Sequence, residues 1–211
     1  MPESYRTIGR ESSVELTIKK SRFIGRCFPA ESEQAAAQVL ERTRKQYWDA
    51  SHNCYAFRVG TGVRQARSSD DGEPSGTGGM PILNELNRKD VTNALCVVTR
   101  YFGGVLLGTG GLVRAYSEAA SEAILHAGIV LMRSCTAYQL TIPYPLLASV
   151  QNAARPFGTL DAEYAEQVFA RIWIADARCA AFLEAVRDAT DARVVPTPDG
   201  AEFRESPNEL P

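Results

Sequence analysis

Apolar and polar residues alternate at Val14, Leu16 and Ile18, and the apolar pattern resumes at Phe23 and Ile24 after a basic break at Lys19, Lys20 and Arg22. A period of two is that of a half-buried strand, so two strands with the cations between them are predicted. The period then lengthens. Ala35, Ala36, Val39, Leu40, Thr43 and Tyr47 fall at helical spacing, with Ser32 as N-cap and Arg42, Arg44 and Lys45 near the C-terminal end, where the helix dipole favours cations. "NCYAFRVG" reads as a short strand, and "ALCVVTRYF", apolar on both faces up to Arg100, as a buried central one. Between them "TGVRQARSSDDGEPSGTGG" shows almost no apolar periodicity and reads as a nineteen-residue loop. A short helix, "MPILNELNR", leaves it. The clearest helix covers residues 111–127, with Leu112, Tyr116, Ala119, Ala120, Ala123, Ile124 and Ala127 in one stripe and Gly128 just past its end.

After "IVLMRS" the pattern changes. "TAYQLTIPY" is a predicted strand and "PLLASVQNAARPFG" a helix closed by Pro156. "TLDAEYAEQVFARIWI" gives two strands with a bend, "DARCAAFLEAVRDAT" a helix capped by Asp176, and "ARVVP" a last strand followed by a "TPDG" turn. That order, βαββαβ, is ferredoxin-like. We expect an α+β chain of two domains, 1–134 and 135–205, with the polar tail after Phe203, and residues 206–211 above all, disordered.

Two helices of the first domain begin at the same tetrapeptide, Gly76-Thr77-Gly78-Gly79 and Gly108-Thr109-Gly110-Gly111. Glycines leave backbone amides unshielded, and the first amides of a helix have no internal partner, so each cluster is a candidate cradle for an anion. Thr77 and Thr109 add hydroxyls, and Arg100 and Arg114 add charge. Tight turns and close packing of helix on sheet would also use glycine there, and the residues alone leave both readings open. A dinucleotide fingerprint is excluded, because "GTGGMP" lacks its third glycine and its preceding strand. In "GGVLLGTG" Thr109 stands where a P-loop needs lysine, which excludes a Walker site.

Asp70, Asp71 and Glu73 beside the first cluster are candidate Mg²⁺ ligands, although Asp-Gly is also a turn signal. His52 and Cys54 share a strand face without a third catalytic member, and His126 suits the end of its helix. No catalytic constellation and no cofactor motif emerges. In the second domain, Phe169, Arg171 and Trp173 face away from Val168, Ala170, Ile172 and Ile174. This is a face for stacking RNA bases or for packing on a protein.

Charge sharpens the division. Residues 1–134 hold 17 Lys and Arg against 14 Asp and Glu, whereas residues 135–211 hold 6 against 11. A mildly basic first domain is compatible with phosphate contacts. Five scattered cysteines without a CxxC pair, no membrane-length apolar run and a polar N-terminus lead us to expect a reduced, cytosolic protein.

The blocks "KKSRFIG", "SHNCYAFRVG", "DDGEPSGTGGMPIL" and "VVTRYFGGVLLGTGGLVRAYSEAA" together resemble the IMPACT (YigZ) family, and the acidic second domain resembles the smaller C-terminal domain of its bacterial branch. The resemblance implies an N-terminal domain like the second domain of a small-subunit ribosomal protein and domain IV of elongation factor G. It implies a C-terminal domain like that factor's domain V. Eukaryotic members are translation regulators acting on the starvation-response kinase pathway, and they carry an additional interaction domain. For a bacterial-type chain the implication is more general: binding of RNA or the ribosome without established chemistry, with translation-machinery proteins as further partners. Small-molecule kinases use the same fold with glycine-rich loops around ATP phosphates, so a phosphorylated ligand held by the GTGG loops is the alternative. A protein-interaction module working through the Phe169–Trp173 face is the third.

Overall fold

Residues 3–206 are described by a computed structural model. The chain divides into two units between Leu131 and Met132. In the first, β2 (Ser12–Ile18), β3 (Ser21–Pro29), β6 (Ala94–Tyr101), β4 (His52–Val59) and β5 (Gln65–Ser69) form one antiparallel sheet in that spatial order. β6 is central and covered on both faces, which is why its sequence lacks alternation. One face, with Phe23, Cys27, Cys54, Ala56, Cys96 and Val98, packs against α2 (Gly79–Arg88) and α3 (Thr109–Ala127). The other, with Phe28, Phe57, Val59, Leu95 and Val97, carries α1 (Glu33–Gln46). Ser32 caps α1 as predicted, its hydroxyl accepting from the Ala35 amide. Two residues, Lys19 and Lys20, join β2 to β3, with Ile18 paired to Ser21 and both lysines at left-handed φ of 46° and 68°. Such a turn normally takes Asn-Gly.

Three differences from the sequence reading have simple causes. β5 lies inside the segment read as a loop: QARSS has no apolar face because it is an edge strand, held by its ladder to Tyr55–Val59. β1 (Ser4–Ile8) falls in the polar N-terminus, where Tyr5 and Ile8 supply its buried positions. The third concerns the last strand of the second unit.

That unit contains β7, which begins at Ile129 and runs to Ile142, then α4 (Leu147–Ala154), β8 (Asp161–Tyr164), β9 (Val168–Ala175), α5 (Cys179–Thr190) and β10 (Thr197–Glu205). The strands lie antiparallel in the order β10-β7-β9-β8. Tyr138, Leu140, Ile142, Val168, Ile172 and Ile174 face Val150, Phe182 and Val186 in its core. "ARVVP" is not a strand. Asp191 and Ala192, both at positive φ, turn the chain out of α5, and Val194 drops into the core. The strand comes later, and "TPDG" lies in it as an irregularity between Pro198 and Ala201. Arg204 and Glu205, assigned to the tail, pair with Arg133 and Met132. Ser206 lies just past the strand, and residues 207–211, also placed in that tail, lie outside the described residues. Asp176 caps no helix amide. Its carboxylate accepts from the hydroxyls of Ser134 and Thr136.

Candidate functional site

The two GTGG segments, alike in sequence, are in opposite states. At the first, the cradle is already filled from within. The Asp70 carboxylate accepts from the amides of Gly76 (2.8 Å), Gly78 (2.9 Å) and Gly79 (2.8 Å), so the start of α2 holds the protein's own anion. A Cβ on Gly78 would stand 2.5 Å from Cys54 Sγ, and one on Gly79 would stand 2.6 Å from the Ser69 backbone. The Thr77 hydroxyl donates to the Pro74 carbonyl at 2.6 Å. Gly76, Thr77, Gly78 and Gly79 therefore close a loop and offer no site to an external anion. Partial burial on its own would raise the Asp70 carboxyl, but the three amides together outweigh it and hold the group below its ordinary range. Because the folded state favours the carboxylate, this contribution is complete at neutral pH and is lost as pH falls through the depressed value. Asp70→Asn is expected to cost about 1–2 kcal/mol at pH 7. In urea titrations its deficit should shrink on acidification until variant and parent coincide.

At the second segment the amides are open. Gly108 at φ 71° precedes α3 with no side-chain cap, and Gly108, Thr109 and Gly110 are exposed. Added Cβ atoms on Gly104, Gly108 and Gly110 would meet nothing within 4 Å. Arg114 is exposed further along the same helix. A cleft of about 560 Å³ leads to this end, lined by His52, Glu73, Phe102, Leu106, Leu107 and Thr109 among others.

Arg100 belongs to neither cradle. Its guanidinium is buried against Glu73 (Nη1 to Oε1, 2.6 Å), and the Tyr116 hydroxyl donates to the same carboxylate oxygen at 2.7 Å. Burial drives the Tyr116 hydroxyl far above its usual range, so it stays a donor. Arg100 is thus a core cation and is withdrawn from the phosphate-binding set. The metal candidates are likewise engaged: Asp70 by amides, Asp71 by Arg44 and the Asn53 amide (both 2.7 Å), and Glu73 by Arg100. Among the described residues no cluster of three His, Cys, Asp or Glu is placed to hold a metal.

His52 donates from Nδ1 to the Asp71 carbonyl at 2.9 Å, and its Nε2 lies 3.8 Å from Glu73. Cys54 donates to the Asp70 carbonyl, and burial raises its thiol to about 12. A thiol this reluctant to ionise is no nucleophile at neutral pH.

The basic turn and the open helix end come together. Lys20 packs so tightly on Gly103 that an added Cβ would fall 1.9 Å from the Lys20 carbonyl oxygen, and the Gly103 amide donates to Ser21 Oγ at 3.2 Å. Phe23 meets Tyr116 edge-on and Gly25 lies under Ala119, so α3 runs along β3 with its first residues at the turn end. Arg22 stacks on Tyr101 at 4.5 Å and faces Glu15 at 3.8 Å. The same end presents Trp48 (83% exposed), Phe102 (49%) and Leu106 (83%), none of which stood out in the sequence. An exposed aromatic next to a helix end carries no periodic signal; only the bare "YW" after α1 was visible.

On the second unit, Phe169 is exposed, whereas Trp173 is flanked by the guanidinium groups of Arg171 (5.1 Å) and Arg204 (4.7 Å). Arg171 is paired with Asp199, and Asp161 and Glu163 lie opposite Arg171 and Phe169 on the neighbouring strand. This face is acidic and its cations are occupied, which disfavours phosphate contact.

Comparison with known proteins agrees with this layout. The Impact N-terminal domain matches residues 19–124, and a domain of unknown function, DUF1949, matches residues 140–193. The chain is 35% identical over 195 residues to IMPACT family member YvyE of Bacillus subtilis (strain 168), covering 92% of this chain and 90% of that protein. It is 39% identical over 136 residues to IMPACT family member YigZ of Escherichia coli (strain K12), covering 64% and 67%. A crystal structure described only as that of a hypothetical protein superposes with a TM-score of 0.62 at 32% identity, covering 93% of this chain and 97% of that one. With both domain models matched in order and near end-to-end similarity to YvyE, the chain belongs to the IMPACT family, in its bacterial two-domain form.

Proposed function

We propose that this chain is a non-enzymatic, translation-linked protein whose first unit binds RNA, free or on the ribosome, through the end bearing Lys19, Lys20, Arg22, the open amides of Gly108–Gly111 and Arg114. The observation that carries the reading is the Lys19–Lys20 turn seated directly on Gly103, at the approach to an uncapped helix N-terminus. Two lysines at left-handed φ occupy an exposed turn where Asn-Gly would be easier, and they set two cations at this end of the sheet. Family membership supports the translation setting through the regulators the family contains. The proposal includes a ribosomal-protein-like fold for the first unit and a ferredoxin-like one for the second, consistent with its β10-β7-β9-β8 order.

Sedimentation with ribosomes and with bulk RNA at about 50 and about 200 mM salt tests the reading, since each neutralised phosphate steepens the salt dependence. Co-sedimentation is expected at the lower salt and its loss at the higher. Lys19→Asn with Lys20→Gly is the informative variant. It should stabilise the fold by about 1–2 kcal/mol while flattening the logarithmic salt slope by about 1.4–1.8. Unchanged RNA affinity in that well-folded variant would remove the turn from the site, and no association at either salt would sink the proposal.

The cleft beside Thr109 favours one other reading, a phosphorylated small ligand with its phosphate on the α3 amides. It predicts saturable nucleotide binding that varies little with salt. Because Asp70, Asp71 and Glu73 are engaged, that binding should not require Mg²⁺.

A further inference from the structure

We infer that the RNA recognised at this end is unpaired, and that Trp48 and Phe102 are its stacking residues; the inference rests on the RNA reading above. Trp48 is a large aromatic left 83% exposed, and it stands on an ordered support. The next residue, Asp49, accepts from the Tyr101 hydroxyl at 2.8 Å. The Ser51 amide donates to the Arg100 carbonyl at 3.0 Å, and the Phe102 amide donates to Ser51 Oγ at 3.2 Å. The turn carrying Trp48 is therefore tied to the end of β6, so little further ordering is needed when a base settles on the ring.

Across this end aromatic and cationic groups interleave. Trp48 precedes Asp49, to which the Tyr101 hydroxyl donates, Arg22 lies over Tyr101, and Phe102 adjoins Gly103, on which Lys20 packs. Aromatic faces spaced among phosphate-binding cations form the platform on which single strands bind, because every unpaired base offers a π-face whatever its sequence. A duplex presents no such faces, and on it Trp48 and Phe102 would gain nothing. The charge also selects among occupants. Lys19, Lys20 and Arg22 are exposed here and outnumber Glu15 and Asp49, so the patch carries a net positive charge. A second copy would set lysine against lysine.

The test uses the full chain. In a Trp173→Phe background Trp48 is the only tryptophan. Its fluorescence is followed while a twelve-nucleotide single-stranded oligoribonucleotide, or a duplex of the same length, is added at low salt. The single strand is expected to quench Trp48 and the duplex to leave it unchanged. In parallel, anisotropy of labelled oligonucleotide with an otherwise unaltered Trp48→Ala chain should show about 5- to 100-fold weaker single-strand binding and unchanged duplex binding. This arm stands even if Trp173→Phe folds poorly. Salt-sensitive binding of both RNAs with no effect of Trp48→Ala would overturn the stacking inference and leave the RNA reading intact. Absence of binding by both RNAs would overturn both readings. Quenching that follows protein concentration without RNA would identify a second copy as the occupant and overturn the inference.

Discussion

Arg100→Met should destabilise the first unit by about 3–5 kcal/mol, because it leaves the Glu73 carboxylate buried without its cation. The pair is nearly inaccessible to solvent, with side-chain exposures of 6% for Arg100 and 3% for Glu73, and the carboxylate would retain only the Tyr116 hydroxyl as a close donor. Urea unfolding should also show strong coupling. Combining Arg100→Met with Glu73→Gln removes both charges while keeping an acceptor for Tyr116, and the double variant is expected to recover more than half of the loss. Additive effects of the two substitutions would mean that the contact contributes little. The experiment bears on function as well. Arg100 sits in the same short sequence block as the second glycine cluster, and weakened RNA binding in an Arg100 variant would report unfolding rather than a lost phosphate contact.

Gly25 is the second sensitive point. A Cβ there would lie 2.3 Å from the carbonyl oxygen of Ala119 and 3.0 Å from its carbonyl carbon, both backbone atoms of α3. No side-chain rotation relieves that contact. The helix itself must lift from the sheet, and with it the packing of Tyr116, Ala120 and Ala123 against Phe23 and Cys27. Gly25→Ala is expected to cost about 2–3 kcal/mol and Gly25→Val more. A loss near 3 kcal/mol lowers the melting temperature of a unit this size by about 10 °C, which calorimetry resolves. A melting point unchanged by Gly25→Val would show that α3 is not seated on β3 as described.

The elements legible in the sequence were those whose burial follows a period. The α3 stripe, the two-sided apolar run of β6 and the Ser32 cap needed only local chemistry. What escaped was held by partners distant in sequence. β5 is a strand only because β4 supplies its hydrogen bonds, and nothing in QARSS announces it. Glu73 and Arg100 are 27 residues apart and Glu73 and Tyr116 are 43 apart, so their network exists only after folding. Asp70 was visible as an acid ahead of a glycine cluster, but that signal fits a metal ligand and an internal cap equally well. The structure separates them by showing three amides on one carboxylate. The twin GTGG motif was seen as two equal cradles, and equality was the part that local sequence could not test.

The left-handed lysine turn has a consequence for anyone improving this protein. Lys19 and Lys20 occupy backbone positions that favour other residues, so heat challenge or consensus design for turns would select their replacement. Robustness gained that way would come with the loss of the cations proposed to meet RNA. A hardened variant could look like an ideal reagent in every stability assay while being mute in a binding one.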